Sequence, residues 1–456
     1  MNKNLLQNII NTGLSVGADF SEVFYENKIV KNYVLTDSKI EKVNFSSING
    51  AGIRLRFGDN TRYAHTNDLS EDNLLKITRE LGESSKEIEN NVCLEELREY
   101  KIPRKIEHDE FSDEQKKELL YKIDGLARNM SDKITQVQAS IYEADQNVII
   151  ANSFGKYVSD DRILTRLNIF VTAKNNDVSA TSHELFGLSK GYELLDAIDL
   201  EKIVYDLVES VLNKLDATPC PSGNMPVIIG PAFGAVIFHE ACGHAMESTS
   251  VSKGISVLSN KLNSKIGSDK LNIVDDGTMI GEWGTVNIDD EGNPTQRNIL
   301  IENGILKGYL IDRFDGGKMN MESTGSCRRQ DYSFIPVSRM NNTYLLPGTD
   351  KIDDMFKSIE YGLYAKKMNG GSVDPITGDF NFGVDEAYII RNGEISECVK
   401  DVSLIGNTLD ILKQVEMVSD DLSLGSGWCG ADSGSVPVSC GQPTIKVSNI
   451  LVGGSK

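Results

Sequence analysis

Residues 226–247 read Pro-Val-Ile-Ile-Gly-Pro-Ala-Phe-Gly-Ala-Val-Ile-Phe-His-Glu-Ala-Cys-Gly-His-Ala-Met-Glu. Val227–Ile229 is a short buried-strand candidate that Gly230 and Pro231 terminate. Pro231 suits the first position of a helix, where no amide donor is needed. That helix then presents His239, Glu240 and His244. The chain has only 5 histidines, and two of them fall inside this one turn-rich stretch.

Neutral imidazoles are good zinc ligands, and a carboxylate beside the first can polarise a water. The spacing is one residue longer than the HExxH pattern of zinc peptidases. On a regular helix an i,i+5 pair stands about 140° apart, against about 40° for i,i+4. Both rings therefore meet one ion only if the helix is locally distorted. Gly243, directly before His244, is the expected place for a bulge, a widened turn or a helix end. A third protein ligand is also required. Cys429, in the glycine-rich Gly425-Ser-Gly-Trp-Cys-Gly430, and Glu247, three residues past His244, are the two candidates. Cys242 points about 60° away from His239 on a regular helix. Two satisfied structural histidines are the bland alternative.

Moving upstream, residues 1 to about 82 read as helix, strands, helix. Two strands are expected to flank Asn49-Gly50, a tight-turn dipeptide, and a helix follows Asn67–Ser70. Residues 83–111 are charged, broken by Pro103, and read as a linker or loose crossover. Ser112 and Gln115 have capping-box spacing before Leu119, Leu120, Ile123 and Leu126. Strands are expected around Thr135–Tyr142 and Leu164–Ala173, and a helix over Leu200–Leu215. Thr218-Pro-Cys-Pro-Ser-Gly223 marks a domain boundary. The expected division is an N-terminal α+β domain over 1–217, with possible sub-units 1–82 and 112–217, and a C-terminal domain over 224–456.

Downstream, Asn303-Gly304 and Asn392-Gly393 each sit between strand-like runs and predict type I′ hairpins. The fold class is therefore α+β. An N-terminal α/β sandwich-like domain precedes a β-rich C-terminal domain, built as a twisted antiparallel sheet or partial barrel.

With 67 acidic against 47 basic residues the net charge is −20. Such a chain repels phosphate backbones and anionic lipid, so neither nucleic acid nor membrane is an expected partner. The 7 cysteines include no CxxC pair and suggest a reducing compartment. Met1–Phe20 has no apolar run of signal-peptide length. The longest apolar stretch, Met225–Phe238, is interrupted and too short to span a bilayer. A cytoplasmic location is expected.

His239-Glu-Ala-Cys-Gly-His-Ala-Met-Glu247 resembles the HExxxH motif of the TldD/PmbA peptidase family. Further blocks are similar to that family: residues 44–70, 289–295, 301–309, Arg328-Arg-Gln-Asp-Tyr332, Arg339–Tyr344, Gly370–Asp374 and Cys429–Val438. The resemblance covers nearly the whole chain. It implies a zinc peptidase with Cys429 as third ligand, acting on unfolded or extended peptides in an enclosed cleft. It also implies a homodimer, or a heterodimer with a TldE/PmbA-like subunit; this chain keeps the motif and is TldD-like. The expected chemistry is metal-assisted peptide hydrolysis, with Zn²⁺ on His239, His244 and Cys429 and with Glu240 as the base. Arg328, Arg329 and Arg339 are candidates for binding a peptide carboxylate or a developing oxyanion, against a plain ion-pairing role. The rival readings are a non-catalytic peptide-binding or partner subunit with a structural metal, and a metal-free cysteine hydrolase using Cys429 or Cys242.

Overall fold

The computed structural model describes residues 1–82, 92–374 and 376–454. The N-terminal part runs α1 (Lys3–Ser15), β1 (Phe20–Thr36), β2 (Lys39–Phe57), β3 (Asn60–Thr66), α2 (Glu71–Glu80), β4 (Arg98–Lys101), α3 (Asp113–Met130), β5 (Ile134–Asn152), β6 (Tyr157–Asn175), β7 (Val178–Leu188) and α4 (Leu200–Leu215). The strands form one sheet in the order β3-β2-β1-β5-β6-β4, with β7 also on β6. β1 and β5 pair antiparallel from Glu22↔Asn152 to Thr36↔Gln138, so segments on both sides of residues 83–111 share this sheet.

The period of two along β1 divides the molecule. Val23 packs with Leu6, Ile9, Ile53 and Leu74 under α1 and α2. Tyr33 and Leu35, on the same parity, pack with Leu120, Ile123, Val204 and Leu207 under α3 and α4. Phe24, on the opposite parity, packs with Ile150, Ile288 and Tyr332. Helices thus cover one face, and the C-terminal half covers the other. The capping box of α3 forms as expected: Gln115 N–H donates to Ser112 Oγ at 3.3 Å and Ser112 N–H to Gln115 Oε1 at 2.9 Å.

The C-terminal part contains two larger sheets beside the two-stranded pair of Cys327–Arg328 with Val337–Ser338. One runs in the order Ile305–Leu306, Arg297–Glu302, Ile273–Asp276, Asn342–Leu345, Gly434–Gln442, Ser423–Ala431. In the other, Tyr361–Val373, Gly223–Ile229, Ile445–Gly453, Val402–Asn407 and Asp379–Arg391 follow in turn, and the last pairs back onto the first. This is the partial barrel of the expected α+β fold. Val227, Ile229, Phe238, Leu363, Phe382 and Val447 belong to the core between it and the metal-motif segment. Among the described residues, no helix is long and apolar enough to cross a membrane.

Two sequence expectations are corrected. The segment 92–111 is not a loose linker: β4 pairs in parallel with β6, and Leu94 and Ile102 are buried. The remaining 83–91 of that segment lies outside the described residues. Asn49-Gly50 is not a turn either. It lies inside β2, with Gly50 opposite Glu26, and the chain reverses at Asp37-Ser38, whose φ values are 47° and 61°. The glycine is needed for a close approach instead. A Cβ on Gly50 would stand 2.3 Å from Cζ of the Tyr332 ring. Tyr332 is pinned on both sides, its N–H on Glu26 Oε2 at 2.9 Å and its carbonyl taking Tyr63 Oη–H at 2.6 Å. Gly50→Val should therefore cost about 1–3 kcal/mol in urea denaturation, and much of that loss should vanish in a Tyr332→Ala background.

Candidate metal centre

The strand Gly223–Ile229 leads through Gly230 and Pro231 into a helical segment that changes pitch three times. A 3₁₀ turn covers Ala232–Ala235, an α turn Val236–Phe238, a π turn His239–Gly243 and a 3₁₀ turn His244–Met246. Pro231 precedes the first turn rather than occupying it. The π turn is the distortion that the i,i+5 spacing requires, because its bonds join residues five apart and stack them on one side. The rings of His239 and His244 come to 5.3 Å between centroids, nearly perpendicular at 84°.

Gly243 closes that turn with no room for a side chain. A Cβ there would lie 1.9 Å from Met340 Sδ. Met340 is fully buried, and its carbonyl accepts Arg328 Nη1–H at 2.9 Å. The sequence signalled the distortion through Gly243 but gave no sign of Met340, which arrives from 97 positions downstream by chain numbering.

Cys429 reaches the same point from the edge strand Ser423–Ala431. Its Sγ lies 3.2 Å from His244 Nε2. One ligand atom from each of His239, His244 and Cys429 falls within 4.8 Å of the others. Two atoms bound tetrahedrally to one zinc stand about 3.3–3.6 Å apart, from bond lengths of about 2.0–2.3 Å. The Sγ–Nε2 distance suits that arrangement. His239 Nδ1 is buried and has no protein partner among the described residues. The donor set of two imidazoles and one thiolate is of zinc-preferring type, so the residues fit the ion.

The electrostatics agree with the geometry. Burial would raise the Cys429 thiol, but hydrogen bonds and charge from His239 and His244 outweigh it and bring the pKa down to about 4. Burial would lower His244, but the Glu247 carboxylate and Cys429 hold it well above the ordinary imidazole value. By contrast Cys242, inside the motif, is driven up to about 12 by burial alone.

Glu247 is not brought forward as a ligand. Its Oε2 lies 3.1 Å from His244 Nδ1, behind the ring. Glu240 stands on the accessible side: its side chain is 25% exposed, and Oε2 is 3.7 Å from His244 Nε2. The three arginines turn inward. Arg328 donates to Met340 O and Pro437 O, Arg329 to Glu22, Tyr63 and the Asp290 carbonyl, and Arg339 to Ser433, Gly434 O and Cys429 O. All three are at most 4% exposed, so none offers its guanidinium at an open surface.

The π turn makes a direct prediction. Gly243→Ala should displace Met340 or unwind the turn, separating the two imidazoles. Zinc content measured by atomic emission should fall well below that of the unaltered protein while the far-ultraviolet circular dichroism stays close to it.

Models of the PmbA/TldA metallopeptidase match in three consecutive pieces: domain 1 over residues 21–85, the central domain over 106–215 and the C-terminal domain over 222–454. The chain is 34% identical over 453 residues to a metalloprotease TldD homolog of Buchnera aphidicola, covering 96% of this chain and 93% of that one. It is 29% identical to a zinc metalloprotease TldD homolog of Saccharolobus solfataricus, covering 96% and 97%. The solved structure of TldE from Thermococcus kodakarensis shares the fold, with a TM-score of 0.78 at 21% identity over 99% of this chain and 100% of that one. On the matched models and the identity to these metalloproteases, the chain belongs to the PmbA/TldD metallopeptidase family.

Proposed function

We propose that this protein is a zinc-dependent peptidase of the TldD type that hydrolyses unfolded or extended peptides. The observation that carries the reading is the meeting of His239, His244 and Cys429 within 4.8 Å, with Glu240 on the open side. Zinc, when bound there, supplies a Lewis acid and lowers the pKa of water in its reach. His239, His244 and Cys429 hold it; the thiolate makes it a softer acid than three imidazoles would. Glu240 is not a ligand in this scheme. Its carboxylate takes a proton from the attacking water and delivers it to the leaving amine. Glu247 keeps His244 Nδ1 occupied, which leaves Nε2 free to ligate.

Substrate choice follows from strand chemistry. The edge strand that carries Cys429 can accept an extended peptide by backbone pairing, which gives loose side-chain selectivity. A folded protein has its backbone groups already paired and is excluded. The proposed assembly is a dimer, either of two copies or with a TldE/PmbA-like subunit, in the cytoplasm.

A second reading has one observation in its favour. A thiol held near pKa 4 and 3.2 Å from an imidazole is also the pattern of an activated nucleophile. A chelator separates the two: it abolishes hydrolysis by the metallopeptidase and leaves a cysteine hydrolase active.

Substitution tests the roles. His239→Ala, His244→Ala and Cys429→Ala should each strip about one zinc per chain. Glu240→Gln should keep the zinc and the fold while turnover falls by about 10² or more. Near-normal turnover in Glu240→Gln would remove it as the base, and full zinc in Cys429→Ala would remove the thiolate as a ligand.

Substrate and assembly are tested together. One protein digested in native and unfolded forms should be cut only when unfolded, and activity should elute with a dimer on a sizing column. Equal cleavage of both forms, or full activity in a monomer peak, contradicts the proposal.

A further inference from the structure

The two ligands His244 and Cys429 lie on different parts of the fold, and a buried charged pair bridges them from behind. Arg339 is completely buried. Its Nη1 donates to Ser433 Oγ and to Gly434 O, each at 2.9 Å, and its Nη2 donates to the carbonyl of Cys429 itself. All three acceptors belong to the strand carrying Cys429 or to its turn into Gly434–Gln442. A further donor, Nε, faces Glu247 Oε1 at 3.8 Å. Both of those atoms are buried and have no hydrogen-bond partner among the described residues. The other oxygen of Glu247 takes His244 Nδ1 at 3.1 Å.

We propose that Arg339 and Glu247 are positioning residues that couple the Cys429 strand to the His244 ring, so that the two ligands keep one geometry. The inference rests on the metal-site reading above and adds to it a support neither ligand can provide alone. A ligating imidazole needs its second nitrogen fixed, and a carboxylate there both sets the tautomer and makes the ring a stronger donor. A thiolate on an edge strand needs its backbone fixed, because edge strands have one unpaired side. The guanidinium meets that need with a rigid planar fork, which an ammonium cannot copy. A buried cation also requires a compensating anion, and Glu247 is the carboxylate that faces it. At 3.8 Å the contact is an ion pair rather than a hydrogen bond, so charge as well as shape matters.

This assignment replaces the substrate-binding role expected for Arg339. Its guanidinium is completely buried and three of its N–H groups are taken by protein acceptors, so it is not presented to a peptide.

The test uses the full chain, stripped of metal and titrated with cobalt(II), with affinity and the visible cobalt and thiolate–cobalt absorption bands as readouts. Thermal melting of the metal-free forms reports folding. Glu247→Ala should weaken cobalt binding about 100-fold, and Glu247→Gln, which restores an acceptor without the charge, about 10-fold. Arg339→Lys should weaken it by a similar factor and shift the absorption bands. The double variant Glu247→Gln, Arg339→Lys should lose little more than the weaker single, since the two act as one unit. Should Arg339→Lys fail to fold, the Glu247 pair carries the test by itself. Unchanged affinity and bands in Glu247→Ala would overturn the inference, as would strictly additive losses in the double variant. Unaltered protein that binds no cobalt would instead overturn the metal-site reading, so the two failures are distinguishable.

Discussion

A thiolate and an imidazole separated by 185 positions in the chain meet at 3.2 Å, and much of the C-terminal architecture serves that meeting. The His244 side depends on a π turn, and the π turn depends on Gly243 lying against Met340. The Cys429 side depends on an edge strand that pairs with Gly434–Gln442, which pairs in parallel with Asn342–Leu345. Arg339 and Met340 lie just ahead of that last strand, separated from it by Asn341. One short segment therefore presses on the histidine turn with Met340 and holds the cysteine strand with Arg339. A shift of this segment would disturb His244 and Cys429 at once.

The N-terminal sheet is attached to this arrangement by buried charge as well as by the apolar cluster of Phe24, Ile150 and Ile288. Arg54 contacts Glu22 and Glu291, each at 2.8 Å, and Arg329 also reaches Glu22 at 3.1 Å. Arg162 joins Asp160 and Asp290 at 3.0 and 2.9 Å. All these groups are nearly or fully buried. Such networks gain little net stability, because desolvation offsets most of the attraction, but an unmatched member costs several kcal/mol. Their effect is orientation: with so many buried partners to satisfy, few placements of the sheet against Asp289–Glu291 are tolerated. Crowding of carboxylates has a cost as well. Burial first, and then Glu291, push the Asp289 carboxyl above the usual carboxylate range.

Most of the fold was legible wherever a signal is local. Asn303-Gly304 and Asn392-Gly393 form the expected turns, with φ positive at all four residues. The α3 cap and the extent of α4 are likewise encoded in a few neighbouring residues. Asn49-Gly50 carries the same dipeptide and does something else, because the ring that demands its glycine comes from Tyr332. Local pattern cannot separate a glycine needed for φ from one needed for space. β5 and β6 run longer than the local pattern expects for a related reason: each has 19 residues, and β5 pairs along its length with β1, far upstream in sequence.

The site divides along the same line. His239, Glu240 and His244 announce themselves by type and spacing, and their spacing alone foretells a distorted helix. Cys429 is different. Nothing in its immediate neighbours distinguishes it from the other cysteines except a glycine-rich setting; its chemistry is set by two rings from elsewhere. The contrast with Cys242 makes the point physically. Cys242 sits three residues from His239 in sequence, yet burial without a nearby cation drives its thiol up to about 12. Cys429 is nearly as buried, yet the same two histidines bring it to about 4. Proximity along the chain is therefore a poor guide to which thiol meets the two imidazoles. The direction a side chain faces decides it, and that direction is fixed by the strand order Asn342–Leu345, Gly434–Gln442, Ser423–Ala431 that carries Cys429 to the turn.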